Sequence, residues 1–319
     1  MRSFEGNRVV RDTGARYPIF NAPIGYFARS SLAGAVSAAG GMGLLEMNTM
    51  SDEELEREDG LVRARTSAPF GHHMFLRALK ARDRLDHVLD WALGRATFIA
   101  TCAGNPAAVT GAVRAAGLPH YHQVGSVEEA QKALDAGVTG LIVEGAEAGG
   151  LRSVRSLHLF SLLQQVRGVV GDDVPLVAAG GIVDGVGMAG AFALGADGVV
   201  MGTRFMSSVE SPVHDNWKTA VAESPHTINI DPGMPNMRMR VIRNELSEAV
   251  DRGDVDPAGN PYGGPFMEAF ANGRLDKAMV GCGESASLIS SIESVESIVT
   301  STVDGFWSVV DRMSALSAG

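Results

Sequence analysis

Between Pro18 and about Phe205 the chain alternates short apolar runs with Ala-rich segments of helical period, and this rhythm constrains the fold more than any other feature. Eight runs have strand character, at residues 19–22, 42–45, 70–75, 96–100, 120–124, 140–143, 174–178 and 198–201. Parallel neighbours need a crossover between them, and residues 31–39, 105–116, 126–136 and 184–194 have the length and caps of crossover helices. Ser126 and Glu129 read as a reciprocal capping box. Eight units in this span predict closure into a (β/α)8 barrel. A doubly wound sheet would use fewer strands and a GxGxxG after the first, where this chain has Ile24-Gly25-Tyr26-Phe27.

After Ser208 the texture changes. Pro212, Pro225, Asp231-Pro232-Gly233, Pro235 and the Pro/Gly-rich stretch 256–261 interrupt helical segments at 216–223 and 244–251. This predicts a smaller, mostly helical substrate lobe, residues 209–285, over the mouth of a barrel made of residues 1–208 and 286–319. Ile289, Ile292, Ile298, Val299, Phe306, Val309 and Val310 suit final helices packed on the barrel wall.

Composition excludes several classes. A formal charge of −10 without clustered Lys and Arg argues against a nucleic-acid binder, although backbone amides can still hold a local phosphate. Cys102 and Cys282 lie far apart, so no zinc site or disulfide framework follows, and a reducing cytoplasm is expected. The first eighteen residues lack an apolar core, and Asp184 and Asp197 break the most apolar stretch, so neither a secretory signal nor a membrane span is expected.

Two segments carry the strongest chemical signal. Val177-Ala178-Ala179-Gly180-Gly181-Ile182 and Val200-Met201-Gly202-Thr203-Arg204-Phe205 are apolar strands ending in glycine, at the exits of strands seven and eight. Bare backbone there lets amides approach phosphate oxygens, and Thr203 adds a hydroxyl. An isolated Gly-Gly reads as a tight turn; two such exits side by side favour phosphate. Glu144-Gly145-Ala146-Glu147-Ala148-Gly149-Gly150, after strand six, suits the close approach of a flat ring, although alone it reads equally well as a solvated loop.

With Asn21-Ala22-Pro23-Ile24, Gly233-Met234-Pro235-Asn236 and Val241-Ile242-Arg243-Asn244, these motifs resemble the nitronate monooxygenase family, also called 2-nitropropane dioxygenase-like, which includes flavin-dependent enoyl-ACP reductases. The resemblance runs from about Tyr17 to Asn244 and implies a TIM barrel with non-covalent FMN and a substrate lobe. Carried over, it places Ala22, Pro23 and Ile24 beside the flavin, and His73 and Gln123 at its polar edge. Glu144, Gly149 and Gly150 line the ring, and Gly180, Gly181, Met201, Gly202 and Thr203 hold the phosphate. No metal ligands are implied.

Two departures bear on chemistry. The family usually has His after the Glu-Ala-Gly-Gly run, where this chain has Leu151, which cannot exchange a proton. It usually has Asn on strand three, where this chain has His73. Strand alternation lets only one of His72 and His73, and one of His120 and His122, face the interior. By the resemblance the inward residues are His73 and Gln123, which leaves His122 structural and His73 the candidate catalytic group. Cys102 is a weaker candidate, because a buried Cys is usually inert.

Three functions follow. The first is an NADH- or NADPH-linked FMN reductase of an activated C=C, in an acyl thioester of CoA or a carrier protein, an enone, or a quinone. The second is a nitronate monooxygenase with a substitute base. The third is a flavin-binding protein without turnover. Met234, Met237, Met239 and Phe266 suggest an adaptable apolar surface, and Arg238, Arg240 and Arg243 a phosphate contact, with core filling and a solvated face as the plainer readings.

Overall fold

The computed structural model describes residues 2–224, 226–256, 271–275 and 279–316; Phe266, Pro225 and residues 257–261 lie outside them. Eight parallel strands build the central sheet: β1 (Ile19–Asn21), β2 (Gly43–Glu46), β3 (Phe70–Phe75), β4 (Ile99–Cys102), β5 (His120–Val124), β6 (Gly140–Glu144), β8 (Leu176–Ala179) and β9 (Gly198–Met201). Their order is β1-β9-β8-β6-β5-β4-β3-β2, and a parallel bridge between Phe20 and Met42 brings the two ends together. The result is the nearly closed TIM barrel that the βα rhythm predicts.

Period-two alternation sorts the strand residues. Phe20, Met42, Leu44, Phe98, Ala100, Tyr121, Ile142, Val177 and Val200 fill the interior as one apolar cluster. Leu141, Val143, Leu176, Ala178 and Val199 face the helical ring. Tyr121 fits inside because its neighbour on β6 is Gly140, whose Cβ would lie 2.5 Å from the ring. At the strands' N-terminal end the phenol donates 2.7 Å to Asp12 on helix Arg8–Thr13, an element too short for its periodicity to betray it.

Two local expectations change. Strand β4 begins at Ile99, three residues after the expected start, because the Ala96 amide still bonds Ala92 at the end of the preceding helix. The capping pair at Ser126 is half of a box: Ser126 Oγ accepts from the Glu129 amide, but the Glu129 carboxylate reaches past the cap to the Gly125 amide at 2.7 Å.

The lobe carries the two expected helices, Asp215–Glu223 and Glu245–Asp251, and adds a three-stranded antiparallel sheet that the mostly helical expectation lacked. Its order is β10 (Thr227–Ile230), β11 (Met237–Ile242) and β7 (Gly150–Ser153). The third strand is lent by the loop after β6, so the glycine segment read as irregular ends in regular structure. Barrel residues Phe27, Val183, Met206 and Ile289 share an apolar cluster with Trp217, Ile242 and Val280 of the 209–285 segment. Helix Val295–Ala315 packs on Gly185–Ala193, on the barrel wall as expected. Among the described residues no helix is long and apolar enough to cross a membrane.

Candidate functional site at the barrel mouth

Burial marks the open end. The strand interiors are buried, whereas Ala22, Pro23, Ile24, Cys102, Gln123, Glu144, Gly180, Gly181 and Gly202, at or just beyond the strand exits, are all partly exposed.

Strands β8 and β9 are neighbours, with Ala179 opposite Val200, so their glycine turns leave the barrel side by side. Gly180 and Gly181 take φ of 100° and 77°, in the left-handed region open to residues without a Cβ. Gly202 lies against Ala22, whose amide bonds the Met201 carbonyl at 2.9 Å. Met201 contributes backbone only, since its side chain packs in the outer core. Thr203 Oγ1 accepts from the Gly283 amide at 2.8 Å, which leaves its own proton to donate. This wall of bare backbone and one hydroxyl fits a phosphate monoester.

Beside this wall, on β6 and β5, the mouth is polar. Gln123 Nε2 donates to Glu144 Oε2 at 2.8 Å. Surrounding protein raises the Glu144 carboxyl to about 7; burial is the main cause, nearby Glu129 adds to it, and the Arg152 guanidinium opposes it. Between these residues and β2, His73 stands level with the interior residue Ala100. Burial holds its imidazole at about 3, helped by His122, so the ring is neutral, and neither nitrogen has a hydrogen-bond partner. A neutral imidazole offers one donor and one acceptor, as the edge of a flavin ring requires. Phosphate wall, apolar step at Ala22 to Ile24, polar edge and orphaned imidazole together fit FMN.

The other three histidines of the barrel strands are structural. His72 points outward, with Nε2 3.1 Å from Asp59 on helix Asp52–Arg65. His120 and His122 share the buried Thr101 hydroxyl at 2.8 and 2.7 Å, and burial lowers them to about 3 and about 4. The thiols of Cys102 and Cys282 are both pushed up to about 12 by burial, with Glu144 adding to the first, and neither is a nucleophile at neutral pH.

Two expected positions have other surroundings. A Cβ on Gly149 would sit 2.4 Å from the Cys282 carbonyl carbon, so its bare backbone admits another stretch of chain. Leu151 lies on β7 opposite Met239 and packs with Ile230, Met239, Val241 and Val250 on the apolar face of the lobe sheet. Gly150, with φ of 69°, starts that strand. Of the three lobe arginines, Arg238 and Arg243 are exposed and pair with Asp231 and Glu248, whereas Arg240 is buried. Met239 is core, and Met234 and Met237 are partly exposed.

The structure also brings in residues that sequence reasoning missed. Gly283 reaches Thr203, and the Glu284 amide bonds the Glu147 carbonyl at 3.0 Å, so the Gly281-Cys282-Gly283 run belongs to the mouth. Its two glycines were a visible signal. Glu46, fully buried at the end of β2, gathers Arg29 at 2.9 Å and the Asn48 amide at 2.9 Å, which fixes the turn after β1. Arg152, next to Leu151, points from the opposite face of β7. No cluster of potential metal ligands occurs among the described residues.

Comparison with known proteins agrees with this geometry. The family model described as nitronate monooxygenase matches residues 8–305. A (3aS,4S,5R,7aS)-5-hydroxy-7a-methyl-1-oxo-octahydro-1H-indene-4-carboxyl-CoA dehydrogenase from Rhodococcus jostii is 31% identical, covering 84% of this chain and 72% of the relative. A probable nitronate monooxygenase from Staphylococcus saprophyticus is 28% identical, covering 85% of this chain and 88% of its own. Among solved structures, FabK from Thermotoga maritima superposes with a TM-score of 0.88 at 30% identity, over 97% of this chain and 99% of its own.

Proposed function

Because the chain belongs to the nitronate monooxygenase family of flavin-dependent oxidoreductases, we propose that it is an FMN-dependent reductase that draws on NADH or NADPH and acts on an activated C=C of an acyl thioester or enone, or on a quinone. When bound, FMN would supply the hydride-carrying chemistry at N5. The protein's part is to bind, orient and tune. Gly180, Gly181, Gly202 and Thr203 would hold the phosphate through backbone amides and one hydroxyl. Ala22, Pro23 and Ile24 would support the ring, and Gln123 would keep the Glu144 carboxyl at its polar edge.

The observation that carries the reductase reading is the setting of Leu151. The position where the resemblance expects a proton-accepting His holds a hydrocarbon, turned into the apolar face of the lobe sheet. His73 does not replace it, because an imidazole held at about 3 is a weak base; its part is to donate and accept hydrogen bonds. The name of the Rhodococcus relative, a carboxyl-CoA dehydrogenase, supports an acyl-CoA compound as the substrate class.

The test is anaerobic. The FMN-loaded protein is mixed with NADH or NADPH, and the absorbance near about 450 nm, the band of oxidised flavins in general, is followed. Rapid bleaching by a nicotinamide supports the reductase. Bleaching only by a nitronate overturns it in favour of the monooxygenase, and bleaching by neither leaves a flavin-binding protein without turnover.

A further inference from the structure

The lobe sheet has two unlike faces. Leu151, Met239 and Val241 form the apolar one. Alternation puts Gly150, Arg152, Arg238 and Arg240 on the other, with Arg238 opposite Arg152 and Arg240 opposite Gly150. Two of these arginines are buried, Arg152 at 8% exposure and Arg240 at 4%. Arg240 has a counter-ion: Nη2 lies 2.8 Å from Glu284 Oε1 and donates 3.0 Å to the Ala146 carbonyl, and Nη1 donates 3.2 Å to Thr227 Oγ1, although its Nε has no partner.

Arg152 differs. Its Nη2 donates to Asn229 Oδ1, a neutral acceptor, and its Nη1 is buried with no hydrogen-bond partner. Among the described residues no carboxylate pairs with it within salt-bridge distance. Its strand starts at Gly150 directly after the β6 exit loop, and its neighbour on the same face, Arg240, bonds the Ala146 carbonyl of that loop at 3.0 Å, so the face borders the barrel mouth; Arg240, Glu284, Glu144 and Glu147 act on Arg152 from further off. Of those carboxylates, Glu284 is committed to Arg240 and Glu147 accepts from the Leu159 amide at 2.9 Å. Burial raises the Glu144 carboxyl to about 7, and its side chain is bonded by Gln123 Nε2 at 2.8 Å. A buried guanidinium with an open N–H and no counter-ion costs several kcal/mol unless an anion meets it.

We propose that Arg152, backed by Arg240, binds an anionic group of the substrate, a carboxylate or a phosphate, at the mouth of the barrel. The assignment rests on reading that mouth as the substrate site, and it adds what the substrate must carry. Arginine suits the task because its planar fork meets two oxygens of a carboxylate or phosphate at once.

Calorimetric titration of the FMN-loaded full chain at low salt, without nicotinamide, tests this with two matched pairs of probes. Cyclohex-1-ene-1-carboxylate is compared with its uncharged amide, and coenzyme A with pantetheine. At least one anion is expected to bind about 10- to 100-fold tighter than its neutral counterpart, the range of one charge-assisted hydrogen-bonded contact. A carboxylate preference places the anion on the reacting body; a coenzyme A preference places it on the phosphate of the thioester arm. Arg152→Met is expected to abolish the preference and Arg152→Lys to retain part of it, while Arg238→Met, altering an exposed residue of the same face, leaves it intact. Equal binding of anions and neutral partners by the wild type overturns the proposal without any variant having to fold, and so does a preference that survives Arg152→Met. Because no turnover is involved, a protein that prefers anions yet is not bleached by nicotinamide refutes the reductase reading and leaves the Arg152 site standing.

Discussion

Gln123 and Glu144 join the exits of β5 and β6 through a 2.8 Å hydrogen bond from amide to carboxylate, across the polar side of the barrel mouth. The bond compensates only part of the cost of burying the carboxylate, and the remainder makes folding depend on pH. The folded value of about 7 lies above the ordinary 4.5, so between the two the native state holds a proton that the unfolded chain has lost. Stability from this group therefore falls as pH rises through that window, with no penalty below it and a full, constant penalty above it. Glu144→Gln removes the titration. Its melting temperature relative to wild type should climb between those pH values and level off beyond about 7. A pH-independent difference in paired thermal melts would refute the assignment.

His73 gives the mirror case. Its folded value of about 3 lies below the ordinary 6.5, so the native state refuses a proton that the unfolded chain accepts, and stability is lost as pH falls from 6.5 toward 3. His73→Asn, which keeps a donor and an acceptor, should flatten part of this acid slope and still retain FMN. His73→Leu should flatten it equally and weaken FMN binding about tenfold, the loss of one or two hydrogen bonds. Flavin fluorescence titration separates the two; equal affinity in both variants removes His73 from the cofactor site.

Gly149→Ala should damage the site from behind. The new Cβ would lie 2.4 Å from the Cys282 carbonyl carbon and 2.6 Å from the Gly283 nitrogen, and backbone on both sides cannot yield as a flexible side chain would. A loss of about 1–3 kcal/mol is expected from the overpacking. The displaced segment should also release Thr203, lowering FMN retention together with the melting temperature. Wild-type melting in this variant would show that the two segments do not meet in solution.

Leu151→His should not create a base at the mouth. The residue occupies the apolar face of the lobe sheet, so an imidazole there buries polar atoms without partners and should cost about 1–3 kcal/mol, read from denaturant unfolding. Nicotinamide-driven bleaching of the flavin should survive. Its complete loss in a folded variant would mean that Leu151 shapes the nicotinamide or substrate pocket.

Much of this site was legible in the chain because it follows from short-range rules. Period-two alternation puts His72 and His73, and His122 and Gln123, on opposite faces of their strands, and neighbouring residues suffice to see it; which of each pair faces the interior came from the family resemblance. The glycine exits at Gly180, Gly181 and Gly202 announce themselves because each directly follows an apolar strand. The β4 start and the Ser126 cap were misjudged by one to three residues, where helix-end hydrogen bonds compete with the strand and cap patterns.

The amino-acid order by itself determined eight βα units and the two glycine turns at adjacent strand exits, since alternation, capping and punctuation act over a few residues. The tertiary structure alone decided that 150–153 is a strand, because its partner Met237–Ile242 lies far along the chain and no local pattern encodes the pairing. That pairing turns Leu151 into the lobe and Arg152 to the opposite, charged face. A one-residue change of register would exchange them, and with them the chemistry the mouth presents.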